Sequence, residues 1–224
     1  MAMKRGYSGY GVSRPSKRTK YSRRRAVSAA AAASAPPFWA RPSGELKYLD
    51  TVLDGAMDST GLQTLLNGLS LGNTATTRIG VKIAIKSIEM RLLSYATAGT
   101  GTDQCHRIMA FIDRQPNAAA PTLGDQLASN SYMAMRTLTQ RKRFKILWDR
   151  QYIINATAEP GTLRHFHMYM KFKRPLVVEY NAANNGTVAD IVSNSLYFYK
   201  IASNAAGATA GALLGYARIR YTDS

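Results

Sequence analysis

Between residues 164 and 174 the chain alternates without a slip. Phe166, Met168, Met170 and Phe172 fall on one side of an extended backbone, and His165, His167, Tyr169, Lys171 and Lys173 fall on the other. Side chains repeat every two residues only in a β-strand, and a strand buried on one face and wet on the other needs this pattern. Residues 143–154 repeat it, with Phe144, Ile146, Trp148, Tyr152 and Ile154 opposed to Arg143, Lys145 and Asp149. That alternation puts Trp148 on the core side together with Phe144 and Ile146. Near the C-terminus Ala217, Ile219 and Tyr221 oppose Arg218 and Arg220. In 80–92 the apolar set runs Val81, Ile83, Ile85 and then changes phase to Ile88, Met90, Leu92. A strand that swaps its buried face needs an extra residue, so a bulge is expected near Lys86-Ser87.

Eight strands are expected, over residues 45–54, 80–95, 105–114, 141–154, 164–174, 176–180, 194–203 and 214–222. Turn formers punctuate them: Asn67-Gly68, Gly99-Thr-Gly101, Gln115-Pro116-Asn117, Glu159-Pro160-Gly161 and Asn184-Asn185-Gly186. A helical pattern survives only near Thr122–Leu127, where Thr122 can cap and Asp125 sits in the first turn. The expected fold is all-β: an eight-stranded antiparallel jelly-roll sandwich, with a disordered basic N-terminal arm. The connections 55–79, 115–140 and 181–193 exceed the usual turn lengths. They carry Leu62, Leu65, Leu66, Leu69, Tyr132, Met133 and Met135, too apolar a set for solvated loops. At least one of them is therefore expected to pack between neighbouring subunits.

Charge divides the chain. Of its 224 residues 30 are Lys or Arg and 13 are Asp or Glu, a formal net charge of +17. Ten basic residues and no acid precede Glu45: Lys4, Arg5, Arg14, Lys17, Arg18, Lys20, Arg23, Arg24, Arg25 and Arg41. Residues 1–25 have no apolar periodicity, and 26–43 form an Ala/Ser/Pro linker, so the expected division is an arm over 1–43 and a sandwich domain over 44–224. A flexible polycation binds phosphate by releasing counterions, whatever the sequence of the nucleic acid. Tyr7, Tyr10, Tyr21 and Phe38 add rings that stack on unpaired bases. Lys17–Arg25 also suits a nuclear-import signal, which makes host import machinery a partner and the host nucleus a location. An organellar transit peptide is the competing reading of the same segment. A second cluster, Arg141, Lys142, Arg143 and Lys145, is a further candidate for nucleic-acid contact; its alternative role is a charged strand edge that blocks aggregation.

Catalytic groups do not converge. His165 and His167 share a strand face, but two ligands make a poor metal site. Cys105, the only cysteine, and His106 are adjacent and point to opposite faces of a strand, which argues against a dyad. Gly99-Thr-Gly101 lacks the lysine of a phosphate loop. No apolar run of about 18 residues spans a membrane. The chain is thus expected to be no enzyme, with no cofactor, no metal and no membrane partner.

Four segments carry a resemblance: Arg78-Ile-Gly-Val-Lys82-Ile-Ala-Ile-Lys86-Ser87-Ile88, Phe111-Ile-Asp113-Arg114-Gln115-Pro116-Asn117, Arg143-Phe144-Lys145-Ile-Leu-Trp148-Asp149, and Ala217-Arg218-Ile-Arg220-Tyr221-Thr222-Asp223. In order and spacing they resemble the capsid proteins of small circular single-stranded DNA viruses that encode a replication initiator. The chain is similar, more remotely, to satellite plant-virus coat proteins with RNA genomes. The resemblance implies a single jelly roll and a virion shell that is a homo-oligomer of roughly sixty copies in a closed icosahedral point group. It also implies an arm turned toward the genome, with single-stranded DNA favoured over RNA. A cellular nucleic-acid-binding protein of ribosomal type is the alternative from a different class.

Overall fold

A computed structural model describes residues 45–96, 103–155, 163–207 and 211–223, all within the unit Gly44–Ser224. The strands are β1 (Lys47–Val52), β2 (Gly55–Met57), β3 (Leu62–Leu65), β4 (Lys82–Tyr95), β5 (Gln104–Asp113), β6 (Phe144–Ile154), β7 (Arg164–Tyr180), β8 (Ile191–Ser193), β9 (Ser195–Ala202) and β10 (Gly211–Asp223). One helical turn, α1 (Leu123–Gln126), lies between β5 and β6, capped at Thr122 by Asp125 as the sequence suggests. The first sheet runs β1-β10-β4-β7-β8, with β2 also on β10; the second runs β3-β9-β5-β6. Every strand pairing within the sheets is antiparallel. Setting aside the short β2 and β8, eight strands form two four-stranded layers in jelly-roll order.

Those eight strands are not the eight expected from the sequence. Segments 164–174 and 176–180 form one strand, β7. Pro175 lacks an N–H and reads as a break, yet it sits at a register slip in which Ile85 pairs with Leu176 and Ser87 with Lys171. The missing strand is β3, which lies inside the 55–79 connection. It is short, and Leu62-Gln-Thr-Leu65 shows no clean alternation. The expected bulge does occur. Lys86 is skipped against both neighbours of β4, so Ile83, Ile85, Ile88, Met90 and Leu92 all enter one core.

β6 carries a bulge that the alternation concealed. Ala110 pairs with Trp148 and Phe111 with Ile146, which leaves Leu147 as the extra residue. Phe144 and Ile146 therefore pack outside the second sheet, while Leu147, Trp148 and Tyr152 pack between the sheets. Trp148 does contact the core, edge-to-face with Phe166 of β7 at 6.0 Å, but on the side opposite Phe144 and Ile146. Tyr152 meets the same phenyl ring at 4.6 Å.

The long connections pack largely on their own subunit. Leu66 and Leu69 lie in the inter-sheet core. The β5–β6 connection folds over the outer face of the second sheet, where Leu123, Leu127, Tyr132 and Ala134 cover Met109, Phe111, Tyr197, Tyr199 and Ile201. Met133, Met135 and Leu138 of this connection remain exposed. Two arginines fasten it, Arg107 buried and Arg143 half-buried. Arg107 grips Asp149 in a bidentate pair at 3.0 and 2.9 Å and donates to the carbonyls of Tyr132 and Ala134. At its base Arg143 grips the fully buried Asp113 at 2.8 Å through both nitrogens.

Another buried cation, Arg78, ties the loops at one end of the sandwich. The Arg78 guanidinium donates to the carbonyls of Leu69, Gly80, Asn181 and Ala183 and lies 4.4 Å over the Tyr180 ring. Tyr180 in turn donates to the Asn67 carbonyl, and the Asn67 side chain accepts from Leu196 N–H. A buried guanidinium is tolerated only with its donors satisfied, and here backbone oxygens satisfy them.

His106 is fully buried, with Ser94 Oγ 2.8 Å from Nδ1 and Gln104 Oε1 3.1 Å from Nε2. Burial pushes the imidazole from its ordinary 6.5 down to about 4, so it stays neutral in the fold. This serine–histidine pair is closed to solvent and serves packing.

Leu66→Asp should cost about 4 kcal/mol or more, since it removes a core side chain and buries a charge. Met133→Asp should change stability by no more than about 0.5 kcal/mol. Urea unfolding of both variants checks the pair. For His106, both folded and unfolded states are neutral above pH 6.5, and below it the unfolded chain takes up a proton first. Stability should therefore fall by about 3 kcal/mol between pH 6.5 and about 4 and then level off, as far as this residue contributes. His106→Gln should remove that part of the slope in a pH series of unfolding curves.

Candidate nucleic-acid interface

The arm residues Lys4, Arg5, Arg14, Lys17, Arg18, Lys20, Arg23, Arg24 and Arg25 lie outside the described residues, as do Arg41 and the Gly99-Thr-Gly101 turn. The second cluster is divided by the structure. Arg141 and Lys142 occupy the turn that leads into β6, where Phe144 N–H donates to the Gln140 carbonyl at 3.1 Å, and Lys145 is the second residue of the strand. All three are exposed and, among the described residues, none pairs with a carboxylate. Arg143 is different. It is held against Asp113 and over the Phe144 ring at 4.9 Å, and the Asp113 hydrogen bonds raise its pKa further. The cluster thus offers three open cations and one structural latch.

A larger basic surface lies on the first sheet, whose outer face is not covered by the loop that hides the second. Three cross-strand rows define it. Val52, Tyr216, Arg91 and His167 stand opposite one another on β1, β10, β4 and β7. One step along come Asp50, Arg218, Glu89 and Tyr169, and the next begins with Tyr48 and Arg220 and ends at Lys171 beyond Ser87. The alternation that sends Met90, Ala217 and Met168 into the core sends these residues outward.

Ion pairs order the face. Arg218 grips Asp50 through both nitrogens at 2.6 Å and lies 4.9 Å over the Tyr48 ring. Glu89 accepts from Arg220 at 2.9 Å and from Arg91 at 3.1 and 3.0 Å, with His167 Nε2 at 3.3 Å. Hydrogen bonds from Arg220 and then Arg91 hold the Glu89 carboxyl down at about 2, and the bond from Arg218 lowers Asp50. Both carboxylates stay ionised at neutral pH. Between them lies a shallow depression of about 290 Å³ lined by Asp50, Glu89, Arg91, Tyr216, Arg218 and Arg220. Lys171 and Lys173 add charge on β7 with no carboxylate partner among the described residues.

His165 and His167 do share this face, across from Leu93 and Arg91. Among the described residues no group of three His, Cys, Asp or Glu side chains gathers as a metal site. Cys105 is half-buried and His106 is inward, on opposite faces of β5 as expected. Sequence reasoning placed Lys171, Lys173, Arg218 and Arg220 on polar strand faces but missed Glu89, Arg91, Tyr48 and Tyr216. Extending the alternation of β4 beyond its phase change would have found Glu89 and Arg91; only strand order brings them beside Arg218.

A search of curated protein sequences finds no match. Among solved structures, the chain is similar to a Desmodium yellow mottle tymovirus chain at 8% identity and TM-score 0.34, covering 84% of this chain and 92% of that one. It is similar to turnip yellow mosaic virus empty heads at 9% identity and TM-score 0.30, covering 85% and 87%. Against the infectious bursal disease virus VP2 subviral particle it shows 12% identity and TM-score 0.28, covering 83% of this chain but 37% of that one. These TM-scores are low, and the assignment rests on the family comparison. The model of the satellite tobacco necrosis virus coat protein matches residues 42–224, the whole jelly roll from before β1 to the end of β10. The chain belongs to the satellite tobacco necrosis virus coat protein family.

Proposed function

We propose that this coat protein is the repeating subunit of a small closed icosahedral shell and packages single-stranded nucleic acid through an N-terminal arm, residues 1–43, joined to a shell domain, 44–224. The family match across the entire jelly roll carries this reading. A closed point group leaves no open end to grow, and roughly sixty copies complete the smallest icosahedral arrangement. The exposed Met133, Met135 and Leu138 supply apolar contact surface for neighbours, with the loop beneath them already fixed by Arg107 and Arg143.

Packaging is assigned to the arm by its charge. Lys4, Arg5, Arg14, Lys17, Arg18, Lys20, Arg23, Arg24 and Arg25 neutralise phosphate, supported by Arg141, Lys142 and Lys145 at the inner surface. Arg143 contributes through the fold, by holding the turn that presents its neighbours. The four segments resembling circular single-stranded DNA virus capsids make such DNA the first expectation for the cargo, with the virion and, through Lys17–Arg25, the host nucleus as locations. The family match names a satellite virus, and single-stranded RNA is the cargo to test against it.

Deleting residues 1–40 should leave a folded β protein whose particles hold several-fold less nucleic acid. Absorbance ratios, circular dichroism and separate DNase and RNase digestion of the extracted cargo measure this on one preparation. Unchanged nucleic-acid content would contradict the role of the arm, and RNase-sensitive cargo would replace DNA with RNA.

A further inference from the structure

We propose that the outer face of the first sheet, exposed among the described residues, is a second, structured binding surface for single-stranded nucleic acid, in which Tyr169 and Tyr216 stack on unpaired bases while Arg91, Arg218 and Lys171 meet phosphates. This rests on the packaging reading above and adds to it a surface on the folded domain.

Tyr48, Tyr169 and Tyr216 are the first observation. They are 41%, 56% and 59% exposed, on a face whose neighbouring positions are charged. On a wet sheet face aromatic residues usually stabilise by pairing across strands. Here none faces another: Tyr48 stands opposite Arg220, Tyr216 between Val52 and Arg91, and Tyr169 beside Glu89. From the strand and row spacings the three backbone positions lie about 12 to 16 Å apart, and no two of these tyrosines are cross-strand partners. Tyr169 and Tyr216 therefore offer separate stacking sites, while one face of the Tyr48 ring already carries the Arg218 guanidinium.

Charge is the second observation. Asp50 and Glu89 lie among Arg91, Arg218 and Arg220, and Lys171 and Lys173 continue the basic surface with no carboxylate partner among the described residues. The carboxylates fix the guanidiniums in place, and the cations outnumber them. Rings interleaved with ordered cations on an open sheet are what single strands bind: bases stack on the aromatics and the backbone follows the charge. The other sheet cannot do this, because the β5–β6 connection covers its outer face.

The test compares full-length protein, dissociated into subunits, with its Tyr169→Ala/Tyr216→Ala and Tyr169→Phe/Tyr216→Phe variants. The probe is a labelled oligothymidylate of about 30 nucleotides, titrated at several salt concentrations, with ultraviolet crosslinks mapped by mass spectrometry. The alanine variant should lose about tenfold or more in affinity with its salt slope unchanged, because stacking carries no charge. The phenylalanine variant should bind as the parent does, and crosslinks should fall on peptides holding Tyr169 and Tyr216. Parent-like binding by the alanine variant, with crosslinks confined to residues 1–44, would overturn the proposal and leave the arm's role intact. Parent-like binding with failed assembly would also overturn it and make the face a subunit contact. A parent protein that does not bind would overturn the packaging reading as well.

Discussion

The two-sheet core depends on a change of phase in one strand. β4 runs through the middle of the first sheet, paired with β10 on one side and β7 on the other, and it supplies Ile83, Ile85, Ile88, Met90 and Leu92 to the interior. A strand of fixed period cannot bury both halves of that set. Without the extra residue at Lys86, one half would turn to water, since a slip of one residue exchanges the faces. Both neighbours accommodate the bulge, β10 by a shift at Arg220/Tyr221 and β7 by the slip that contains Pro175. The outward rows on which Arg91, Glu89 and Tyr169 stand are set by the same event.

The sandwich is asymmetric as a result of its connections. One outer face is sealed by the β5–β6 connection, held by Arg107 on Asp149 and Arg143 on Asp113. The other, among the described residues, is exposed, basic and studded with tyrosine. Breaking either buried pair by removing one partner would strand a charge, a loss of about 3–5 kcal/mol, so these arginines belong to the architecture. The two outer faces thus differ in chemistry within one small domain, one sealed by a loop and the other charged.

Much of this was legible in sequence because period two is a strong signal where a strand is half-buried. β7, the C-terminal half of β10 and the bulge in β4 follow directly from Phe166 to Phe172, from Ala217 to Tyr221, and from the Ile85/Ile88 phase change. β3 was not legible: four residues with three partly buried give no alternation. Nor was the bulge at Leu147, because Phe144, Ile146 and Trp148 keep a perfect period while the backbone does not. Leu66 and Leu69 suggested a subunit contact because their connection was read as a loop; once β3 exists, they fall inside. The basic cluster at 141–145 was visible as charge, but the burial of Asp113 beneath Arg143 was not, since a turn aspartate and a core aspartate look alike in sequence. The face of the first sheet needed strand order, which brings residue 48 beside 220 and residue 91 beside 216.

A coat protein of this family is expected to close into a shell. The direct measurement is the mass and shape of the purified full-length protein, by sedimentation and electron cryomicroscopy of the same sample. With a 24.6 kDa chain, a closed icosahedral particle of roughly sixty copies has a protein mass of about 1.5 MDa. Uniform hollow particles of that mass, with density for nucleic acid against one sheet of each subunit, are the predicted result. A folded protein that remains monomeric or grows into open filaments, with nucleic acid present, would contradict it.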